Sequence, residues 1–314
     1  MGKTIRDVYG EVLTALADTN DKLVVLDADV SGSTKSGTFG KAHPERFFNM
    51  GIAESNMVAT AAGMAAAGLT PFVNTFAVFL GTVGLLSTRG QVCYGGLNVK
   101  LAGAYCGLSD AYDGATHHAC EDMAAMRALP NMKVLVPADA ASTGALVKLA
   151  AEVSGPAYLR LSRDEYPDLY GADVSFELGG SHVVRQGADA TVLACGILVH
   201  KALEAAELLA KEGISLRVVD LYSVKPIDEE QILRCAAETG AIVCAEEHSV
   251  IGGLGSAVAQ VLCRAGRAVP TEFVGVQDVF TESGAYTELL RKYGLDAEAV
   301  AAAVRRAVER KKGA

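Results

Sequence analysis

Basic charge is scarce in this sequence. Its 28 Lys and Arg face 37 Asp and Glu, a net charge of −9 over 314 residues. Nucleic-acid binding draws on clustered cations that neutralise phosphates, so this balance argues against it. The densest basic cluster, Arg305, Arg306, Arg310, Lys311 and Lys312, sits in the tail and suits the C-terminal end of a helix dipole. No pair among the seven cysteines (93, 106, 120, 195, 235, 244 and 263) has CxxC spacing, and the count is odd. That excludes a disulfide framework or zinc site by spacing. Several lie in apolar runs such as Val243-Cys244-Ala245, where Cys acts as a small hydrophobe in a reducing compartment. No run of about 18 uncharged apolar residues offers a membrane span. The nearest candidate, Asn56 to Val73, is rich in Ala and Gly and reads as a tightly packed helix. Met1-Gly2-Lys3-Thr4-Ile5-Arg6-Asp7 has no signal-peptide core, so the expected location is cytoplasmic. Internal repeats and low-complexity tracts are absent too.

Present instead is a chain that is 50% hydrophobic and 21% charged. It is long enough for two packed domains. Apolar strand signals at 23–26, 99–102, 133–136 and 157–161 alternate with helical patterns at 5–17, 55–67, 121–129 and 140–152. This is the α/β pattern of a doubly wound parallel sheet. Turn chemistry breaks it between 165 and 186, through Tyr166-Pro167-Asp168 and Gly179-Gly180. A second alternating unit follows. Its expected strands are 190–195, 216–220 and 241–245, and its helices 199–211, 254–265 and one from about Ala297. The expected division is 1–170 and 186–314.

Four segments carry chemistry. In Asn49-Met50-Gly51-Ile52-Ala53-Glu54, an acid stands where a strand gives way to a helix. It is either a dipole-paired helix acid or a buried carboxyl able to share a proton with a ring nitrogen. In Thr75-Phe76-Ala77-Val78-Phe79, two rings three residues apart share a helical face. They either form core or stack on a flat heteroaromatic ring. Asp110-Ala111-Tyr112-Asp113-Gly114-Ala115-Thr116-His117-His118 is a polar loop. It is either merely solvated or placed to bind sugar hydroxyls and move protons. Adjacent histidines outside an HExxH pattern make a poor metal site. Glu246-Glu247-His248 leads into Gly252-Gly253-Leu254-Gly255, which lacks GxGxxG spacing and reads as a tight turn with close helix packing.

Taken in order, these motifs resemble the transketolase family over nearly the whole chain. The resemblance implies two doubly wound α/β domains: a thiamine-diphosphate pyrimidine-binding domain followed by a transketolase C-terminal domain. Met50-Gly51-Ile52-Ala53-Glu54 resembles the segment with the cofactor glutamate. Thr75-Phe76 and Phe79 resemble the aromatic wall, and Asp113-Gly114-Ala115-Thr116-His117 the substrate loop. Leu129-Pro130-Asn131-Met132 to Asp139 also follows the pattern. The implied chemistry has Glu54 bonded to N1′ of the aminopyrimidine, activating the thiazolium C2 for attack on a ketose; a two-carbon unit then passes to an aldose. Glu54 and His117 are the implied catalytic residues. Phe76, Phe79, Asp29 and Thr82 are implied at the cofactor. Asp113, His117, Arg163, Ser33, Arg6 and Tyr105 are implied at the sugar.

Two departures from the family shape these expectations. There is no GDG segment, and no set of oxygen ligands for Mg²⁺ with the diphosphate. The resemblance therefore implies an N-terminal partner subunit carrying that site, in an α2β2 assembly, with this chain inactive alone. Thr82 and Tyr105 replace a family Tyr and His, which points to a modified or non-phosphorylated donor sugar. Competing readings are the β-subunit of a 2-oxo-acid dehydrogenase, a deoxyxylulose-phosphate-synthase-like enzyme, a non-catalytic assembly partner and a flavodoxin-like carrier. The last lacks a phosphate loop after its first strand.

Overall fold

The computed structural model describes residues 3–171 and 174–313. Met1, Gly2, Ala172, Asp173 and Ala314, which fall in the expected N-terminal stretch, linker and tail, lie outside the described residues. The first half contributes β1 (Leu23–Asp27), β2 (Phe47–Asn49), β3 (Thr70–Phe76), β4 (Lys100–Ala104), β5 (Lys133–Leu135) and β6 (Ala157–Leu161). The second half contributes β7 (His182–Arg185), β8 (Ala190–Ala194), β9 (Leu216–Asp220), β10 (Ser223–Lys225), β11 (Ile242–Ser249) and β12 (Thr271–Val276). They form two sheets, ordered β10-β5-β6-β4-β3-β1-β2 and β12-β11-β8-β9-β7. All pairings are parallel except β10 on β5 and β7 on β9. β10 comes late in the chain yet extends the first sheet, so the two units are joined by strand pairing as well as by the connecting segment.

The central strands β1, β4, β6 and β8 are buried throughout, as strands covered on both faces must be. The expected helices form at Ile5–Ala17, Glu54–Ala66, Asp122–Ala128, Ala140–Glu152, Leu198–Ala210, Leu254–Arg264 and Ala297–Lys312. Helices Glu229–Thr239 and Tyr286–Lys292 add to these. β3 is also additional to the sequence reading, because Asn74 breaks its apolar run. That amide is fully buried and satisfied: its Nδ2 donates to the carbonyls of Leu26 and Phe72, and it accepts from the Tyr9 hydroxyl. β3 changes one expectation. Phe76 is the last strand residue and Phe79 lies in helix Ala77–Gly81, so the two rings meet across a strand-to-helix corner rather than on one helical turn.

Asp139 shows how capping also fixes the connection. Its Oδ1 accepts from Ser142 N at the start of Ala140–Glu152. Its Oδ2 accepts from the amides of Leu169 and Tyr170, tying down the chain as it leaves β6.

Candidate active site

In an open parallel sheet, ligands gather at the carboxyl ends of the strands. Here the sequence-derived residues collect at that edge. Arg163 follows β6, Tyr105 follows β4, Phe76 ends β3, Asp29 follows β1 and Glu54 follows β2; these five strands are consecutive neighbours in the sheet. Arg6 comes from the first turn of Ile5–Ala17. Asp113 and His117 come from the loop after β4.

The loop after β1 is held from below by Asp27, a buried acid that accepts from Val30 N, Thr34 Oγ1 and Ser36 Oγ at 2.7, 2.8 and 2.7 Å. This presents Asp29, with left-handed φ of 66°, and Ser33. Asp29 is exposed and accepts from Asn49 Nδ2 at 2.7 Å. Glu54 is the first residue of its helix and only 6% exposed. Its carboxyl has no hydrogen-bond or ion-pair partner among the described residues.

An aromatic cluster lies along the same edge. The Phe76 ring is 5.9 Å from Phe79, 4.8 Å from Tyr105 and 6.0 Å from His117, and Phe79 lies 5.4 Å from His117. Tyr105, at φ 58°, is the hub of the polar end. Arg6 Nη1 donates to its hydroxyl at 2.6 Å and to Ser33 O at 2.8 Å, and Arg6 Nε donates to Arg163 O at 3.0 Å. Both guanidinium groups lie over the Tyr105 ring, at 4.9 and 5.2 Å from its centroid. Thus Arg6, Ser33, Tyr105 and Arg163 meet in one place. Thr82 is exposed, and its hydroxyl donates back to Val78 O at 2.6 Å. Asp113 is exposed. His117 is half-buried and shares a contact with Thr116 Oγ1 at 3.0 Å.

The sequence reading passed over two acids in the segments it singled out. Asp110 is 1% exposed, and neither carboxyl oxygen accepts a hydrogen bond. Burial, then the nearby Asp113, pushes it up to about 7, against the pull of Arg163. Glu247 is fully buried and accepts from Leu108 N at 2.8 Å and from Tyr286 Oη at 3.0 Å. Burial pushes it too up to about 7. The signal for Asp110 was a second acid three residues from Asp113. Thr281, Ser283 and Gly284, which reach the 110–118 loop from the second unit, gave none. Thr281 Oγ1 contacts His118 Nδ1 at 2.7 Å, Ser283 Oγ donates to Tyr112 O at 2.5 Å and Gly284 N donates to Ala111 O at 3.4 Å.

Beneath the loop, Arg160 forms a bidentate pair with Asp122, at 2.8 and 3.0 Å. It also donates to Ala119 O and Glu247 O, at 3.0 and 2.9 Å. Both side chains are essentially sealed from solvent. The paired cation holds Asp122 below the usual carboxylate range, despite a large opposing effect of burial. Among the described residues, no three His, Cys, Asp or Glu side chains converge to hold a metal ion. No helix among them is long and apolar enough to cross a membrane.

A partnerless acid and an aromatic cluster stand at the carboxyl edge of the first sheet, and a second α/β unit follows, the arrangement expected of a pyrimidine-binding domain joined to a C-terminal domain. Family models agree: the transketolase pyrimidine-binding domain matches residues 1–168 and the transketolase C-terminal domain residues 179–300. The chain belongs to the transketolase family, whose enzymes depend on thiamine diphosphate. It is similar to a split-gene transketolase solved as an inactive β4 tetramer, at 52% identity and TM-score 0.92, covering 98% of this chain and 99% of that one. It is 40% identical to the 6-deoxy-6-sulfo-D-fructose transketolase subunit SqwH of Clostridium sp. (strain MSTE9), over 98% of this chain and 95% of the relative. Against human transketolase it is 38% identical, covering 96% of this chain but 48% of that protein.

Proposed function

We propose that this chain is the cofactor-activating subunit of a split transketolase, moving a two-carbon ketol unit from a phosphorylated or otherwise modified ketose to an aldose. The observation that carries this reading is Glu54, buried at a helix start with no partner of its own. Bound thiamine diphosphate supplies a carbanion-forming thiazolium and an electron sink. Glu54 would hold N1′ of the aminopyrimidine by a hydrogen bond and so set where its proton sits. Phe76 and Phe79 line the ring and exclude water, which strengthens that bond by lowering the local dielectric. Asp29 and Thr82 lie toward the cofactor. Asp113 and His117 hold sugar hydroxyls, with His117 also moving a proton. Arg6, Ser33, Tyr105 and Arg163 receive the far end of the sugar, where planar guanidinium forks suit an oxyanion.

The diphosphate and its Mg²⁺ do not fit the residues present here. In this reading they belong to an N-terminal partner subunit, in an α2β2 enzyme. Two relatives support that division: one is a subunit by name, and the other is an inactive tetramer of a split-gene product. Calorimetric titration of thiamine diphosphate with Mg²⁺, into this chain alone and then with the partner, tests it. Binding only in the mixture is expected. Tight binding to the lone chain would overturn the split site, and no binding in either would overturn the enzyme reading.

A further inference from the structure

The polar end of the site has an unusual charge balance. Two cations, Arg6 and Arg163, stand among three acids, Asp110, Asp113 and Asp164. Arg163 Nη1 is 3.9 Å from Asp110 Oδ1, close enough for charge attraction but not for a hydrogen bond. Arg6 is largely committed, with Nη1 on Ser33 and Tyr105 and Nε on Arg163 O. Arg163 is therefore the cation with donors to spare, and its side chain is 39% exposed. Asp110 sits behind it, sealed, with two oxygens that meet no donor. Ala111, next in the chain, holds a left-handed φ of 51°. Strain of this kind persists only where the surroundings enforce it. Here the enforcing contacts are Gly284 N and the His118 ring, both on Ala111 O.

We propose that Asp110 determines specificity at the sugar's far end, by competing with the sugar's own anionic group for Arg163. This rests on the transketolase reading above. With Asp110 ionised, the Arg163 guanidinium is already half-neutralised, and a dianionic phosphate is repelled by Asp110, Asp113 and Asp164 together. A monoanionic or uncharged sugar end escapes most of that repulsion. With Asp110 protonated, Arg163 is free for an anion. The groups facing Asp110 are Asp113 from its own loop, Arg163 from the segment after β6 and Arg6 from the first helix. Asp164, itself raised mainly by burial, stands beside the two arginines. His118, lowered mainly by burial, faces the loop from the other side, through Ala111 O. Because Asp110 is pushed up to about 7, the competition switches on across neutral pH.

The test is Asp110→Asn in the enzyme assembled with its partner, assayed with xylulose 5-phosphate and with unphosphorylated xylulose. At pH 8 the variant is expected to lower KM for the phosphate about tenfold, with kcat and the KM for xylulose little changed. Because the substrate phosphate itself ionises at about pH 6, the readout is the ratio of wild-type to variant KM for the phosphate, which rises from pH 6 to 8. Equal changes for both ketoses, or an unchanged pH profile, overturn the proposal. A second readout is independent of turnover: sulfate, whose charge is constant over this range, is titrated calorimetrically into both proteins. Tighter sulfate binding by the variant at pH 8, but not at pH 6, is expected; equal binding at pH 8 overturns the role of Asp110. If neither ketose turns over, the transketolase reading fails while the sulfate result still decides on Asp110.

Discussion

The two sheets share an architecture but use their carboxyl edges in opposite ways. At the second edge Glu246, Asp220 and Glu247 each accept hydrogen bonds from the protein. Glu246 accepts from Leu254 N and Gly255 N, at 2.6 and 2.8 Å, and so caps a helix. Asp220 accepts from the Tyr170 hydroxyl at 2.7 Å, and Glu247 reaches across to Leu108 N. His248 fits the same pattern: it accepts from Ala124 N at 3.2 Å and donates to Ser249 O at 2.7 Å. At the first edge Asp27 is spent in this way, but Glu54 and Asp110 are not. Fold alone gives neither edge its function; the pairing of its acids does. The acids of one edge brace the protein, and those of the other mark the candidate site. Gly107 marks the seam between them: a side chain there would overlap the Glu247 carboxyl, and the residue sits at φ +60°.

The comparison breaks most severely at Glu54. Glu54→Gln keeps the shape and removes the acid, and turnover of the assembled enzyme is expected to fall at least about 100-fold. Assembly, followed by sedimentation, should persist; near-normal rates would remove Glu54 from its role. The brace responds differently. Glu247→Ala leaves the buried Leu108 N–H unmet and leaves the Tyr286 hydroxyl with Tyr166 alone, which is expected to cost about 1–3 kcal/mol of stability by denaturant midpoint. Its pH dependence sharpens the contrast. Burial raises the folded-state pKa of Glu247 from 4.5 to about 7, so the folded protein binds more protons than the unfolded chain between those values. That contribution is complete below the unfolded pKa and is lost as pH rises through about 7. Glu247→Gln is expected to flatten this slope in unfolding titrations between pH 5 and 8. Asp220, raised to about 8, titrates in both proteins and cancels in the comparison.

What was legible in the sequence was local. The alternation of apolar strands and helices, the acid at the start of Glu54–Ala66 and the ring pair were all readable, because period and spacing act over a few residues. β3 was missed because a satisfied buried amide looks polar in a string. Edge strands β7 and β12 carry partly exposed residues and lack a clean apolar run; on β12, Glu272 pairs with Arg306 and Arg310. Asp110 lay in plain view inside the polar loop, but its burial depends on residues far along the chain. So does its lack of partners. The contacts of Thr281 and Ser283 with the loop span more than 160 residues, and no local pattern encodes them.

Those distant contacts set the smallest expected effect. The loop carrying Asp113 and His117 is held by the second unit at His118, Tyr112 O and Ala111 O, so its position depends on a segment far along the chain. Ser283→Ala removes one hydroxyl bond to a carbonyl on the exposed side of the loop, and Thr281→Val removes the partner of a half-buried ring nitrogen. Each bond is worth about 1 kcal/mol, enough to loosen the loop without unfolding it. A loosened loop weakens sugar binding while leaving the ring end intact. The double variant is therefore expected to raise KM for the ketose about 2- to 5-fold, with thiamine diphosphate affinity unchanged by calorimetry. If thiamine affinity falls in step with sugar KM, the second unit braces the whole edge rather than the sugar loop.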